Sequence, residues 1–146
     1  MTATAHWIEG WIKIAGMLQL GVAVGSLAVP RLLRWKEQLT RLRPLLGQIF
    51  WTYAAYIFVT NLFFAGLSLA LASSLADGSR LSTAVCGFIA CYWAGRLGIQ
   101  FFYFDKRGLP IGGIYRYGEW LLVASFAFFA VVYGGVAFAG FAGLSR

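Results

Sequence analysis

Four long apolar runs constrain this chain more than any other feature of its sequence. They cover residues 8–29, 45–73, 81–104 and 119–144. About 20 consecutive apolar residues cross a bilayer as a helix, because a helix pairs its backbone polar groups internally. The runs lack the alternating polarity of barrel strands. The sequence therefore predicts an all-α integral membrane protein, a four-transmembrane-helix bundle that forms one domain over residues 1–146.

The composition supports this class. Of the 146 residues, 60% are apolar and only 12% are charged, whereas soluble domains carry about 25% charged residues. A lipid-facing surface needs no charge, so the sequence excludes a soluble fold. Four spans also leave no room for a sizeable catalytic domain outside the membrane.

Metal and haem sites need more ligands than this chain offers. It has one histidine, His6, and two cysteines, Cys86 and Cys91. Zinc sites take three or four Cys, His or carboxylate ligands, and a bis-His haem takes two imidazoles. The cysteines lie five residues apart on one predicted helix and point about 140° away from each other. We expect no metal, no cofactor and no disulfide within that helix.

The connection between the first two spans is strongly basic. Pro30 and Pro44 each suit the first turn of a helix, and residues 31–43 predict an amphipathic helix at the membrane surface. Its apolar stripe is Leu32, Trp35, Leu39 and Leu42. Its cations are Arg31, Arg34, Lys36, Arg41 and Arg43.

The distribution of lysine and arginine predicts the topology. The connection at 30–44 holds five such residues and the one at 105–118 holds three, namely Lys106, Arg107 and Arg116. The positive-inside rule places both connections in the cytoplasm and both termini on the other side. We therefore expect a multi-pass protein, most simply of a bacterial inner membrane.

The net charge of +7 indicates anionic lipids as a partner. The cations lie in short connections beside the membrane, where each is worth about 1 kcal/mol of attraction to an anionic leaflet. We expect no nucleic-acid binding. A docking surface for a partner protein is an alternative use of the same charges.

Glycine accounts for 18 residues, and several fall in small-residue rows. Helices in lipid associate where small residues let their backbones approach. The predicted packing glycines are Gly21, Gly25, Gly87, Gly95, Gly135 and Gly143. These rows exceed what four helices need, which suggests contacts with other membrane subunits or with a second copy.

Arg96 is the one strong cation well inside a span, and such groups often have a function. The candidate site for a ligand or lipid head group is Trp93, Arg96, Gln100, Tyr103, Tyr53, Tyr56 and Glu119. One interpretation is structural, with Arg96 paired to Glu119, a tyrosine or a carbonyl. Another is head-group binding. The third is catalysis or proton movement, in which Glu119 would be the acid or base because arginine stays protonated.

Other polar residues predict helix contacts. Glu9 and Lys13 suit an i,i+4 ion pair, and Gln19 and Asn61 can form hydrogen bonds between helices.

Residues 117–119, Tyr-Gly-Glu, are similar to part of a motif in membrane steroid reductases and isoprenylcysteine methyltransferase-like proteins. The resemblance would imply a membrane enzyme acting on a lipid-like substrate. Those enzymes carry Arg-His-Pro before the motif and this chain has no histidine there, so we assign no catalytic residue.

We expect a non-enzymatic accessory or assembly subunit of a larger membrane complex, with a lipid or other amphiphile near Arg96. The alternatives are an oligomeric transporter or channel for a small solute, and a membrane enzyme. Selective pores use rings of charge or carbonyls, whereas the outer halves of these spans offer Gln19, Asn61 and a few hydroxyls.

Overall fold

The computed structural model describes residues 3–40, 42–103 and 113–144, and these contain helices and turns but no strand. Arg41, Lys106 and Arg107 lie outside the described residues. The helices are α1 (Ala3–Ser26), α2 (Val29–Leu32), α3 (Trp35–Leu39), α4 (Pro44–Ala70), α5 (Ala72–Leu75), α6 (Arg80–Phe102) and α7 (Gly113–Leu144).

Within the described ranges, four segments are long and apolar enough to cross a membrane. They are His6–Leu32, Pro44–Ala70, Arg80–Phe102 and Arg116–Gly143. The four predicted runs are therefore helices, with ends that differ from the prediction by a few residues. The arrangement fits a multi-pass membrane protein.

The basic connection differs from the prediction. Instead of one helix over residues 31–43, α2 and α3 are separate short helices. The break occurs at Arg34, whose φ of 48° is left-handed, a conformation that commonly ends helices. It also changes which leucines face inward, because Leu33 and Leu39 are half-buried while Leu32 is 62% exposed.

Local signals start the other helices. Pro30 and Pro44 stand in the first turns of α2 and α4, as predicted. At the start of α6, the Ser82 N–H donates to Ser79 Oγ at 3.1 Å, a standard N-cap. The Ser79 N–H donates to Asp77 Oδ1 at 2.7 Å, and this hydrogen bond holds the pKa of Asp77 below its ordinary value.

The bundle is built from two main helix pairs. Helix α1 packs on α4, α6 packs on α7, and α1 also contacts α5 and α7. Aromatic rings fill much of the α6–α7 contact: Trp93 lies 4.7 Å from Phe129 and 5.0 Å from Phe126, measured between ring centroids. All three side chains are buried.

The closest backbone approaches occur at glycines outside the predicted rows. A Cβ on Gly16 would lie 2.9 Å from the Cβ of Ser68, and one on Gly140 would collide with the Thr83 hydroxyl. Of the predicted packing glycines, Gly87 meets a neighbour, with a Cβ position 3.9 Å from Ala137. A Cβ would have open space at the others, which are Gly21, Gly25, Gly95, Gly135 and Gly143.

We expect Gly16→Ala to destabilise the chain by about 1–3 kcal/mol, because the new methyl group would push Ser68 and α4 away from α1. Gly21→Ala, on the same helix, should not destabilise the chain and should stabilise it by up to about 1 kcal/mol, since its Cβ meets no described atom and alanine is the better helix former. Denaturant titration in detergent micelles measures both. Equal stability of the two variants would contradict the packing of α1 on α4.

Candidate functional site

The Arg96 side chain is half-buried on α6. Its guanidinium carbon lies 5.7 Å from the centroid of the Phe126 ring on α7. A cation at this distance from an aromatic face is attracted by the ring quadrupole. Arg96 therefore links α6 to α7 through an aromatic contact.

Gln100, one turn beyond Arg96, forms the polar link to the fourth span. Its Nε2 donates to Glu119 Oε1 at 3.3 Å. Among the described residues, the ion pairs lie elsewhere: Glu9–Lys13 at 2.6 Å, as predicted, and Arg34–Glu37 at 3.9 Å. The Glu119 carboxylate, which the sequence suggests as a partner for Arg96, thus accepts a hydrogen bond from the Gln100 amide.

The tyrosines of the candidate site lie on outer surfaces. Tyr53 is 66% exposed, Tyr56 is 69% exposed and Tyr103 is 81% exposed. Trp93, by contrast, is 1% exposed, and its buried Nε1 has no hydrogen-bond partner. The structure thus brings Gln100 and Glu119 together and leaves the three tyrosines exposed.

A second polar cluster lies deeper in the bundle, at the contact of α1, α4 and α7. We call Gln19, Ser68 and Tyr133 the central polar cluster, and each is 0% exposed. The Tyr133 hydroxyl is 2.5 Å from Ser68 Oγ and donates to Gln19 Oε1 at 3.3 Å. Three helices therefore meet through one phenol group.

One buried hydrogen-bond donor of this cluster has no acceptor. Ser68 Oγ also donates to the Phe64 carbonyl at 2.7 Å, whereas the buried Nε2 of Gln19 has no partner. If the amide presented its nitrogen instead of its oxygen to Tyr133, donation would run in one direction, from Gln19 to Tyr133 to Ser68 to the carbonyl. In both amide orientations the Tyr133 hydroxyl lies between Ser68 Oγ and the Gln19 amide.

A further hydrogen bond joins α6 to α4. The Tyr92 hydroxyl donates to Asn61 Oδ1 at 3.0 Å, and the Tyr92 ring packs edge-on against Phe64 with 5.1 Å between centroids. The predictions that Gln19 and Asn61 bond across helices are thus confirmed. Sequence reasoning missed Ser68 and Tyr133, because nothing in their apolar surroundings shows that they face a neighbouring helix.

A shallow apolar groove lies on the outer side of α1 and α7. It has a volume of about 440 Å³ and is lined by Trp11, Ile14, Met17, Leu18 and Phe128. Within the described part of the chain, no three His, Cys, Asp or Glu side chains come close enough to hold a metal ion. Cys86 is buried and Cys91 is exposed, and both are free thiols.

We expect Tyr133→Phe to lower the free energy of unfolding by about 0.6–2 kcal/mol, the range for hydrogen bonds between membrane helices. Ser68→Ala should add less than its own separate effect, because both changes break the same bond. Gln100→Leu, which breaks a bond with a different partner, should add fully to Tyr133→Phe. Full additivity of Tyr133→Phe with Ser68→Ala, measured by denaturant titration, would contradict the cluster.

Comparison with known proteins finds no matching family model, no matching curated protein and no matching solved structure. The chemistry available to the site is therefore read from its own residues. These supply one half-buried cation, one carboxylate bound to an amide, and several hydroxyl and amide groups that join helices.

Proposed function

We propose that this chain is a non-enzymatic, multi-pass membrane protein that acts as an accessory or assembly subunit of a larger membrane complex. The observation that carries the proposal is the open packing row of α1. Gly21 and Gly25 have nothing within 4 Å of a Cβ position. Beside them, Met17 is 59% exposed and Val24 is 57% exposed.

The surroundings of Gly21 and Gly25 differ from those of Gly16 on the same helix. Gly16 lies on the opposite side of α1, where its missing side chain admits Ser68. Glycine in a helix costs about 1 kcal/mol relative to alanine, and at Gly21 and Gly25 no contact with the described residues offsets that cost. A neighbouring helix that packs on this face would provide such a contact. In lipid, close packing of this kind drives helix association, because apolar helices gain no hydrophobic energy by leaving the acyl chains.

The ionisable and polar groups near Arg96 also support a structural role. Arg96 contacts Phe126, and Gln100 contacts Glu119, so each pair holds α6 against α7. A general acid or base needs to reach the proton that it transfers. Here the described contacts of these groups tie helices together.

We further propose that both basic connections face the cytoplasm and both termini face the other side. The two connections follow α1 and α6, so a chain that crosses the membrane four times places them at the same surface. The larger number of lysines and arginines in these connections then sets the orientation. A bacterial inner membrane is the setting that this arrangement fits.

The test is purification in a polymer that extracts membrane patches without detergent, followed by mass determination. We expect the wild-type chain in particles heavier than one copy, together with a second copy or other membrane proteins. Gly21→Leu combined with Gly25→Leu should release it as a single copy without lowering its unfolding midpoint, because the added side chains enter open space.

Gly66→Leu is the matched control, since Gly66 on α4 also has open space and belongs to no predicted row. It should leave the assembly intact. A wild-type chain recovered as a partner-free monomer would overturn the proposed function. Equal loss of assembly in the control would show that the α1 row is not the contact.

A second proposal concerns an amphiphile near Arg96. It is supported by the half-buried guanidinium and by the unpartnered Nε1 of Trp93 on the same helix. A planar guanidinium binds a phosphate or carboxylate through two parallel hydrogen bonds, which lysine cannot do. The ligand class would be an anionic or polar lipid, quinone or similar amphiphile.

We expect Arg96→Lys to retain the unfolding midpoint and to lose at least about tenfold in retention of a co-purifying amphiphile, measured by native mass spectrometry. Arg80→Lys, at the opposite end of α6, is the control and should retain the amphiphile. Retention in both Arg96→Lys and Arg96→Leu would place any amphiphile elsewhere.

A further inference from the structure

Exposed cations gather on one surface, between the end of α1 and the start of α4. We define the basic surface as Arg31, Arg34, Lys36 and Arg43, whose side chains are all exposed. One carboxylate lies among them, Glu37, and its oxygen is 3.9 Å from Arg34 in a pair exposed on both sides. Such a pair is weak, so the surface remains strongly positive.

This surface is folded onto the bundle. The Trp35 ring meets Phe50 edge-on with 4.8 Å between centroids, and lies 6.1 Å from Trp51. Since Trp35 begins α3 and its two partners lie on α4, the contact fixes the basic surface relative to the first turns of a spanning helix. Gln38 Nε2, which donates to the Leu33 carbonyl at 3.3 Å, adds a link between α2 and α3.

Exposed leucines adjoin the cations. Leu32 is 62% exposed, Leu42 is 46% exposed and Leu45 is 65% exposed. The last of these belongs to α4, so the apolar side chains continue onto the outer face of a predicted span. The exposed cations and the exposed leucines thus lie next to each other on this surface.

A surface that combines exposed cations with exposed leucines matches one kind of partner. An acidic soluble protein would neutralise the cations and leave the leucines uncovered along the side of α4. The edge of a bilayer places phosphate groups directly beside acyl chains, and therefore matches both parts of the surface. Aromatic rings such as Trp35 and Trp51 are also favoured at that level.

We propose that the basic surface binds the head groups of anionic phospholipids, with Leu32 and Leu42 inserted among the upper parts of the acyl chains. The lipid phosphates contact the guanidinium and ammonium groups. Trp35 is the anchor that holds α3 at the required depth. The inference rests on the membrane placement in the proposed function, but not on assembly with other subunits.

The experiment uses the full chain in phosphatidylcholine vesicles that contain a trace of spin-labelled phosphatidylglycerol or spin-labelled phosphatidylcholine. Electron paramagnetic resonance measures the fraction of each label immobilised at the protein. We expect the wild-type chain to favour phosphatidylglycerol by about fivefold or more, and the preference to fall as salt rises.

The combined variant Arg31→Gln, Arg34→Gln, Lys36→Gln and Arg43→Gln should reduce the preference to near equality, with Arg41 left unchanged. Arg80→Gln removes one exposed cation at the start of α6, outside the basic surface, and should keep the wild-type preference. The four single variants, each with a partial loss, guard against misfolding of the combined variant. An unchanged immobilised fraction of phosphatidylcholine confirms that the bundle is intact.

A wild-type chain with no preference, or a combined variant that keeps it, would overturn the proposal. Alkaline carbonate washing of the vesicles distinguishes a wrong membrane placement from a wrong lipid assignment. If washing removes the chain, the membrane placement is wrong. If the chain stays in the vesicles but shows no preference and instead binds poly-glutamate, the surface is a docking site for acidic protein and the lipid assignment is wrong.

Discussion

The central polar cluster is the interaction on which the rest of the bundle depends. In lipid, apolar helices gain little by leaving acyl chains for one another, so close packing and hydrogen bonds have to hold them. Tyr133 meets both needs, because its ring is fully buried and its hydroxyl reaches Ser68 on α4 and Gln19 on α1. Gly16 makes the arrangement possible by letting α1 approach Ser68 without a side chain between them.

The other contacts between helices join α6 and α7 to each other and to the rest of the bundle. Helices α6 and α7 are joined by the rings around Trp93, by Arg96 on Phe126 and by Gln100 on Glu119. The Tyr92–Asn61 bond then ties α6 to α4. Each contact joins polar or aromatic side chains of two helices, and many large apolar side chains remain exposed on the outer faces.

The sequence predicts the elements well because run length and proline position act locally. It identifies four spans, the helix starts at Pro30 and Pro44, and the Glu9–Lys13 pair. It does not predict the break at Arg34, since only the docking of Trp35 on α4 shows where the connection has to turn. Nor does it distinguish Gly16, which packs inside, from Gly21, which faces outward.

The candidate site is harder to predict for the same reason. Spacing places Arg96, Gln100 and Trp93 on one helix, but in an apolar helix no polar contrast marks the face that meets a neighbour. The sequence spacing also places Glu119 near the Arg96 end of α6, and its carboxylate accepts a hydrogen bond from Gln100, one turn beyond Arg96. Tyr133 and Ser68 stand out only when three helices are seen together.

The most direct test of the account is the position of two sites relative to the membrane, at the two ends of α4. Gln38→Cys and Ser74→Cys, in a chain with Cys86→Ala and Cys91→Ala, would be labelled in intact cells with a maleimide that cannot cross membranes. We expect labelling at residue 74 in intact cells and at residue 38 only after the cells are opened. Labelling of both sites in intact cells, or of residue 38 alone, would contradict a four-span bundle whose basic surface faces the cytoplasm.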